Sequence, residues 1–155
     1  MNIETIGVIS DTHGLVRPEV IAAFKGVGLI IHAGDIGEAA VLNTLGAIAP
    51  VIAVRGNNDR GAWAGPLPES EVVEIKKLRF YLLHDLKELD LDPAEAGFKG
   101  VISGHSHRPL IEDREGILYI NPGSAGPRRF KLPVSVGFIR IQDGCLKAEI
   151  KSLMG

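Results

Sequence analysis

The sequence predicts an α/β fold with two sheets and flanking helices, and three observations predict it. From residue 3 to about 60, β-branched apolar runs alternate with stretches of helical spacing, the pattern of parallel strands joined by crossover helices. From Leu110 onward the helical spacing disappears, and short apolar runs follow one another across Gly- and Pro-containing turns, the pattern of antiparallel pairing. The whole chain of 155 residues suits one domain, 1–155, and 45% hydrophobic with 23% charged residues is the balance of an ordinary globular core and surface.

Element by element, Ile3 to Ser10 reads as a buried strand that stops at Asp11-Thr12-His13-Gly14, and Pro18 to Lys25 as a helix. Leu29 to Ile31 is a second strand, ending at His32-Ala33-Gly34-Asp35, and Glu38 to Ala49 is an Ala- and Leu-rich helix. Val51 to Val54 is a third strand, closed by Arg55-Gly56-Asn57-Asn58-Asp59. Gly61 to Pro68 reads as a surface loop carrying the single tryptophan, Trp63. Glu71 to Ile75 and Arg79 to Leu83 are strands around Lys76-Lys77, the second ending at His84-Asp85. Asp90 to Ala96 has the spacing of a short helix, and Gly100 to Ser103 is a strand that terminates at Gly104-His105-Ser106-His107. Leu110 to Asp113, Ile117 to Ile120, Val134 to Ile141 and Leu146 to Ser152 complete the strands.

Charge narrows the function classes. Seventeen basic against nineteen acidic residues give a net charge of −2, so no general basic field exists to hold nucleic acid or an anionic membrane. The only cysteine, Cys145, makes neither an intramolecular disulfide nor a thiolate zinc site by itself. Met1 to Ser10 reads as a strand with Glu4 in it instead of a basic leader, and nowhere do ~18 apolar residues run together. A cytoplasmic protein with no membrane partner is the expectation.

The chemistry is concentrated at strand ends. Five apolar runs stop in turns that hold Asp11 and His13, Asp35, Asn57, His84, and His105 with His107. Any one of them is explained by turn chemistry, since Asp and Asn side chains bond to local backbone. The set is harder to explain that way, because four of the five histidines are in it and ligands gather at the carboxyl ends of strands in open α/β sheets. Carboxylate, imidazole and amide oxygen together suit a divalent first-row transition metal. Seven donors exceed what one catalytic zinc uses, and they match two ions. Two such cations outweigh the charge of Asp11 and Asp35, so the site is formally cationic in an acidic protein and suited to an anionic ester.

The series Asp11-x-His13, Gly34-Asp35, Gly56-Asn57-x-Asp59, His84 and Gly104-His105-x-His107 resembles the calcineurin-like metallophosphoesterases. With Asn121-Pro122-Gly123-Ser124 near the end of a short chain, it is most similar to their small bacterial and archaeal phosphodiesterase subgroup. The resemblance implies a four-layer α/β/β/α sandwich with two mixed β-sheets. It implies that Asp11, His13 and His107 hold one divalent ion, that Asn57, His84 and His105 hold a second, and that Asp35 bridges them. Manganese is the expected metal, with nickel, iron, zinc or magnesium as alternatives. The implied reaction is in-line attack on the phosphorus of a small phosphoester by a hydroxide held between the two ions.

Two positions depart from that family pattern. Where many relatives place a histidine after the metal-binding asparagine, this chain has Asn58, whose amide donates hydrogen bonds but is no general acid at neutral pH. Modest turnover, best on activated diesters such as aryl esters, is the consequence. Asp85 stands where Gly is usual, either orienting a ligating imidazole or facing solvent. Asn58 and Asp59 are the candidate catalytic positions outside the ligand set, Asp59 as a partner that holds ligands in place. His32, sharing a strand face with Gly34, reads as a hydrogen-bonded strand residue, and Ser124 as turn chemistry. Arg17, Arg55, Arg60, Arg108 and Arg128-Arg129 adjoin the motif turns as surface arginines or phosphate contacts, and Trp63 either lines the site or caps an apolar edge. A protein-binding scaffold similar to a retromer subunit, and a phosphomonoesterase, are the alternative functions. Pairing of sheet edges or of the apolar tail strands offers a route to a homodimer.

Overall fold

The computed structural model describes residues 4–128 and 131–154, so Ile3 of the first expected strand and Arg129 lie outside the described residues. Two five-stranded mixed sheets face one another. The first has the order β10-β9-β1-β2-β3, built from β1 (Thr5–Ile9), β2 (Leu29–His32), β3 (Val51–Ala53), β9 (Val134–Gln142) and β10 (Cys145–Met154). The second has the order β4-β5-β6-β8-β7, from β4 (Ser70–Ile75), β5 (Leu78–Leu83), β6 (Gly100–Ile102), β7 (Leu110–Arg114) and β8 (Ile117–Asn121).

The expected parallel half is there: β1 pairs with β2 and β2 with β3 in parallel, with α1 (Pro18–Ala23) and α2 (Ala39–Gly46) as the crossovers. The antiparallel tail divides between the sheets, β7 pairing β8 in one and β9 pairing both β10 and β1 in the other. Register decides which residues face inward. Ile6 lies opposite Leu29 and Val8 opposite Ile31, so all four point to the same side of the first sheet. There they meet Phe80, Leu82, Ile102 and Ile120 of the second sheet in one buried layer. Each such side chain contributes about 1.5–3 kcal/mol by leaving water. The opposite parity, Ile9 and Ile30, packs under Val20 and Phe24 of α1 and Val41 and Leu45 of α2, with Phe24 edge-on to Phe138 at 5.7 Å.

The helical layer over the second sheet is thin. Leu86 and Leu89 cover Leu83, Val101 and Tyr119 through a single 3-10 turn, Leu86–Glu88. The helix expected over Asp90 to Ala96 does not form. Asp92 caps the amides of Ala94 and Glu95, and Gly97 at φ 82° reverses the chain, leaving room for one turn only. Trp63 packs with the apolar cluster beneath α1 and α2, which makes it an edge cap. No helix among the described residues is long and apolar enough to cross a membrane.

The parallel strands β1, β2 and β3 of one sheet, and β5 and β6 of the other, deliver their carboxyl ends to the same rim. Backbone hydrogen bonds tie the emerging loops together: Asp11 N–H donates to the Gly34 carbonyl at 3.0 Å, and Gly104 N–H to the His84 carbonyl at 2.9 Å. The Asp11 carboxylate bridges the two sheets by accepting the His105 N–H at 3.1 Å.

Candidate metal centre

Five of the seven candidate donors have left-handed backbone: Asp11 (φ 57°), His13 (47°), Asp35 (55°), His105 (72°) and His107 (64°). Left-handed conformations cost non-glycine residues roughly 1–2 kcal/mol each, and outside hairpins they concentrate where function over-determines the backbone. The other four such residues in the described chain, Lys76, Lys77, Glu115 and Asp143, all lie in hairpin turns, where this geometry is ordinary.

Glycine admits the close approach of these loops. A Cβ on Gly56 would collide with the backbone nitrogen and Oδ1 of Asp35, and one on Gly104 would collide with Ser10 Oγ. The asparagine loop therefore lies directly against the Asp35 loop, and the His105 loop against the end of β1.

Three imidazoles converge on Asp11, whose Oδ1 lies 3.5 Å from His107 Nε2, 3.9 Å from His84 Nε2 and 4.0 Å from His13 Nε2. Asp35 Oδ2 lies 3.3 Å from His84 Nε2 and 3.9 Å from His13 Nε2. The donors form two groups, Asp11-His13-His107 and Asp11-Asp35-His84, each with its donor atoms within 4.8 Å of one another. Asp11 belongs to both, while Asp35 reaches a histidine of each, so the two carboxylates lie between the groups. His105 sits at the rim, its ring edge-on to that of His84 at 5.2 Å and its Nε2 3.7 Å from Asp85 Oδ2. Asn57 is exposed on its turn, next to Asn58, which bonds to Asp35.

Three buried atoms of this cluster, Asp11 Oδ1, His13 Nε2 and His84 Nε2, have no hydrogen-bond partner among the described residues. Buried polar atoms without partners cost about 1–3 kcal/mol each, so three facing one another need a common partner. Donor atoms at ~2.0–2.2 Å from one cation lie ~3–4 Å apart, which is the spacing seen here. His84 is set for this: its Nδ1 faces the Ala33 carbonyl at 2.7 Å, which turns Nε2 toward the carboxylates. Divalent cations therefore fit the residues present.

Electrostatics agree. Burial pushes the Asp11 carboxyl above its ordinary pKa despite the hydrogen bond from Ser10 and the nearby His84 and His107. Burial also opposes ionisation of Asp35, but contact with His84 and the Asn58 N–H outweigh it and hold that carboxyl well below the usual range. At His84 burial disfavours the proton, and Asp35 with the Ala33 carbonyl more than restores it. A proton and a metal cation compete for the same nitrogen, drawn by the same two carboxylates.

Around the donors stand residues that hold them. Asp59 is buried and accepts two backbone N–H groups at 2.9 Å, Gly37 on Oδ1 and Gly56 on Oδ2. Its carboxylate thus clamps the Asp35 and Asn57 loops together. Asn58 donates its backbone N–H to Asp35 Oδ1 at 2.9 Å and its side-chain amide to Oδ2 at 3.3 Å. Asp85 caps the turn at Lys87 through Oδ1 while Oδ2 faces His105. Ser124 accepts the Gly126 N–H, the local turn chemistry expected of it, and in addition donates to the distant Asp11 carbonyl at 3.1 Å.

Sequence reasoning missed Ser10, and it gave Asn121 only as part of a motif, with no role. Ser10 donates to Asp11 Oδ2 at 2.7 Å, and Asn121 donates to the Gly104 carbonyl at 2.9 Å and to Ser106 Oγ at 3.1 Å, pinning the loop that carries both histidines. The signal for their roles was position, a polar residue at the end of an otherwise apolar strand run. Of the arginines, Arg55 pairs with Glu69 at 3.2 Å and Arg17 donates to the Gly126 carbonyl, whereas Arg128 lines a small recess with His13, His107 and Pro127.

Comparison with known proteins agrees with this geometry. Residues 5–144 match the calcineurin-like phosphoesterase superfamily domain. A probable metallophosphoesterase of Methanothermobacter thermautotrophicus is 41% identical over 157 aligned positions, covering 94% of this chain and 90% of that protein. Among solved structures, an archaeal phosphodiesterase superposes with a TM-score of 0.78 at 25% identity, covering 95% of this chain and 99% of the other. Vps29 from Chaetomium thermophilum superposes with a TM-score of 0.76 at 22% identity and 96% coverage of each chain, a likeness of fold.

Proposed function

The chain belongs to the calcineurin-like phosphoesterase superfamily, and on that premise we propose that it is a metal-dependent phosphodiesterase acting on small phosphoesters. In this reading Asp11, His13 and His107 hold one divalent cation, Asn57, His84 and His105 hold a second, and Asp35 stands between them. The observation that carries it is the convergence of three unpartnered buried atoms, Asp11 Oδ1, His13 Nε2 and His84 Nε2, on a shared space. The similarity to an archaeal phosphodiesterase supports the choice of a diester.

Bound divalent ions supply an activated water and neutralise charge gathering on the phosphoryl oxygens. The chain's own residues do the rest. Ser10, Asn58, Asp59 and Asn121 fix the donor loops before substrate arrives, so little reorganisation accompanies the reaction. Arg128, beside His13 and His107, sets a guanidinium where a phosphate oxygen can be met. Asn58 offers N–H donors but no transferable proton, so the leaving group departs largely unassisted and activated esters react best.

The test is hydrolysis of bis(4-nitrophenyl) phosphate and 4-nitrophenyl phosphate by metal-stripped protein, with Mn, Ni, Mg and Zn restored separately. Metal-dependent cleavage that favours the diester is the expected result. Cleavage of neither ester with any metal overturns the enzyme reading in favour of the protein-binding scaffold that the sequence offers as the alternative. Preference for the monoester overturns the diester assignment alone.

A further inference from the structure

Beside the donor cluster, on the far side of His105, lies an open cleft of about 890 Å³. Small-molecule sites span roughly 300–1,000 Å³ and are mostly apolar with a few placed polar groups. This cleft has that character: Leu86, Pro109, Leu110 and Leu132 form apolar walls, while Lys87 and Arg108 stand at the rim. Leu110, 38% exposed at the start of edge strand β7, forms part of the cleft wall.

The cleft and the donor cluster share a wall. His105 lines the cleft and meets the ring of His84 at 5.2 Å, and His84 in turn reaches both central carboxylates. A diester whose phosphorus sits at the cluster extends one ester group past His105 into this space. The two rim cations exceed the single charge of Asp85 on the same lining, which favours the monoanion of a phosphodiester.

We propose that this cleft receives one ester group of the substrate and selects phosphodiesters in which that group is an apolar aromatic ring system. The inference rests on the phosphodiesterase reading for its phosphate and on the cleft alone for its selectivity. Burying a phenyl ring against leucine walls, compared with a methyl group, is expected to strengthen binding by at least about 10-fold.

The experiment compares diphenyl phosphate with dimethyl phosphate, two diesters of equal charge and poor leaving groups, as competitive inhibitors of bis(4-nitrophenyl) phosphate cleavage. In parallel, methyl NMR spectra of Mg-loaded protein are recorded with each ligand, so that binding is read without turnover. The expected result is at least about 10-fold tighter inhibition by diphenyl phosphate, reduced several-fold in Leu110→Asn. The methyl signals of Leu86, Leu110 and Leu132 shift with diphenyl phosphate and not with dimethyl phosphate. Equal inhibition, or shifts confined to other residues, overturns the cleft and leaves the enzymatic reading standing. Leucine shifts in a protein that cleaves no ester support the cleft as an aryl phosphate site while the enzymatic reading falls. Absence of both cleavage and shifts overturns the two together.

Discussion

His84 presents Nε2 to Asp35 Oδ2 at 3.3 Å, the shortest approach of an imidazole to a carboxylate in the donor cluster. The pair joins the end of β5 in one sheet to the loop after β2 in the other, so the site spans the interface between the sheets. Asp35 also reaches His13, which gives its charge a role toward both donor groups.

Asp35→Asn keeps the shape and removes the charge. Loss of an outer partner of a metal ligand typically costs ~10–100-fold in metal affinity or activity, and loss of a shared carboxylate is expected to cost more. Elemental analysis of the dialysed variant should show fewer than two ions per chain, with hydrolysis reduced at least about 100-fold. Retention of two ions would remove Asp35 from its place between them.

Asn58→His tests leaving-group assistance. The backbone N–H of residue 58 holds Asp35 Oδ1 whatever its side chain, so the substitution forfeits only the longer 3.3 Å amide contact. An imidazolium there can protonate an alkoxide, an effect worth up to ~10²–10⁴-fold when the leaving group is poor. Cleavage of a methyl aryl diester at its alkyl side, or of a dialkyl diester, should rise far more than cleavage of bis(4-nitrophenyl) phosphate. Equal changes for both substrates would show that position 58 does not touch the departing oxygen.

Much of this arrangement was legible in the sequence because strand ends announce themselves. An apolar run stopping at Asp11 or His84 fixes the residue to the rim of a sheet, and five such stops need only a common rim to meet. The residues that hold the rim together were less visible. Asn121 acts on Gly104, 17 positions earlier, through a pairing of β6 with β8 that no local pattern encodes. The false helix at Asp90 to Ala96 has the complementary cause: its spacing was helical, but an Asp92 cap and a left-handed Gly97 are too close together to enclose more than one turn.

Asp59→Asn separates positioning from catalysis. Both carboxylate oxygens of Asp59 are taken by backbone N–H groups, so an amide nitrogen at either place faces a donor with a donor. The expected cost is about 1–3 kcal/mol, read as a lower urea midpoint of the metal-free protein with an unchanged m-value. Unchanged stability with a large fall in kcat would instead place Asp59 in contact with the reacting groups.

His32 makes the acid response of the fold predictable. The single hydroxyl proton of Thr12 goes to the Ile36 carbonyl at 2.8 Å, so Thr12 Oγ1, 3.0 Å from His32 Nε2, accepts from the ring. Nδ1 accepts the Gly34 N–H at 3.1 Å, which fixes a neutral imidazole with its proton on Nε2. Complete burial is the chief reason that its pKa falls from 6.5 to about 3. Between those values the unfolded chain binds a proton that the folded chain refuses, so this contribution to stability is complete above pH 6.5 and is lost as the pH falls toward 3. By pH 5 the loss amounts to about 2 kcal/mol, from ~1.4 kcal/mol per pH unit below the unfolded pKa. His32→Gln, which has nothing to titrate, should therefore close on the native chain in urea stability by about that amount between pH 7.5 and pH 5. The ¹⁵N shifts of His32 report the same state directly in the native protein, with Nε2 protonated and Nδ1 bare down to pH 5. A stability gap independent of pH, together with an imidazolium signal at pH 5, would show that the folded chain takes up this proton as freely as the unfolded one.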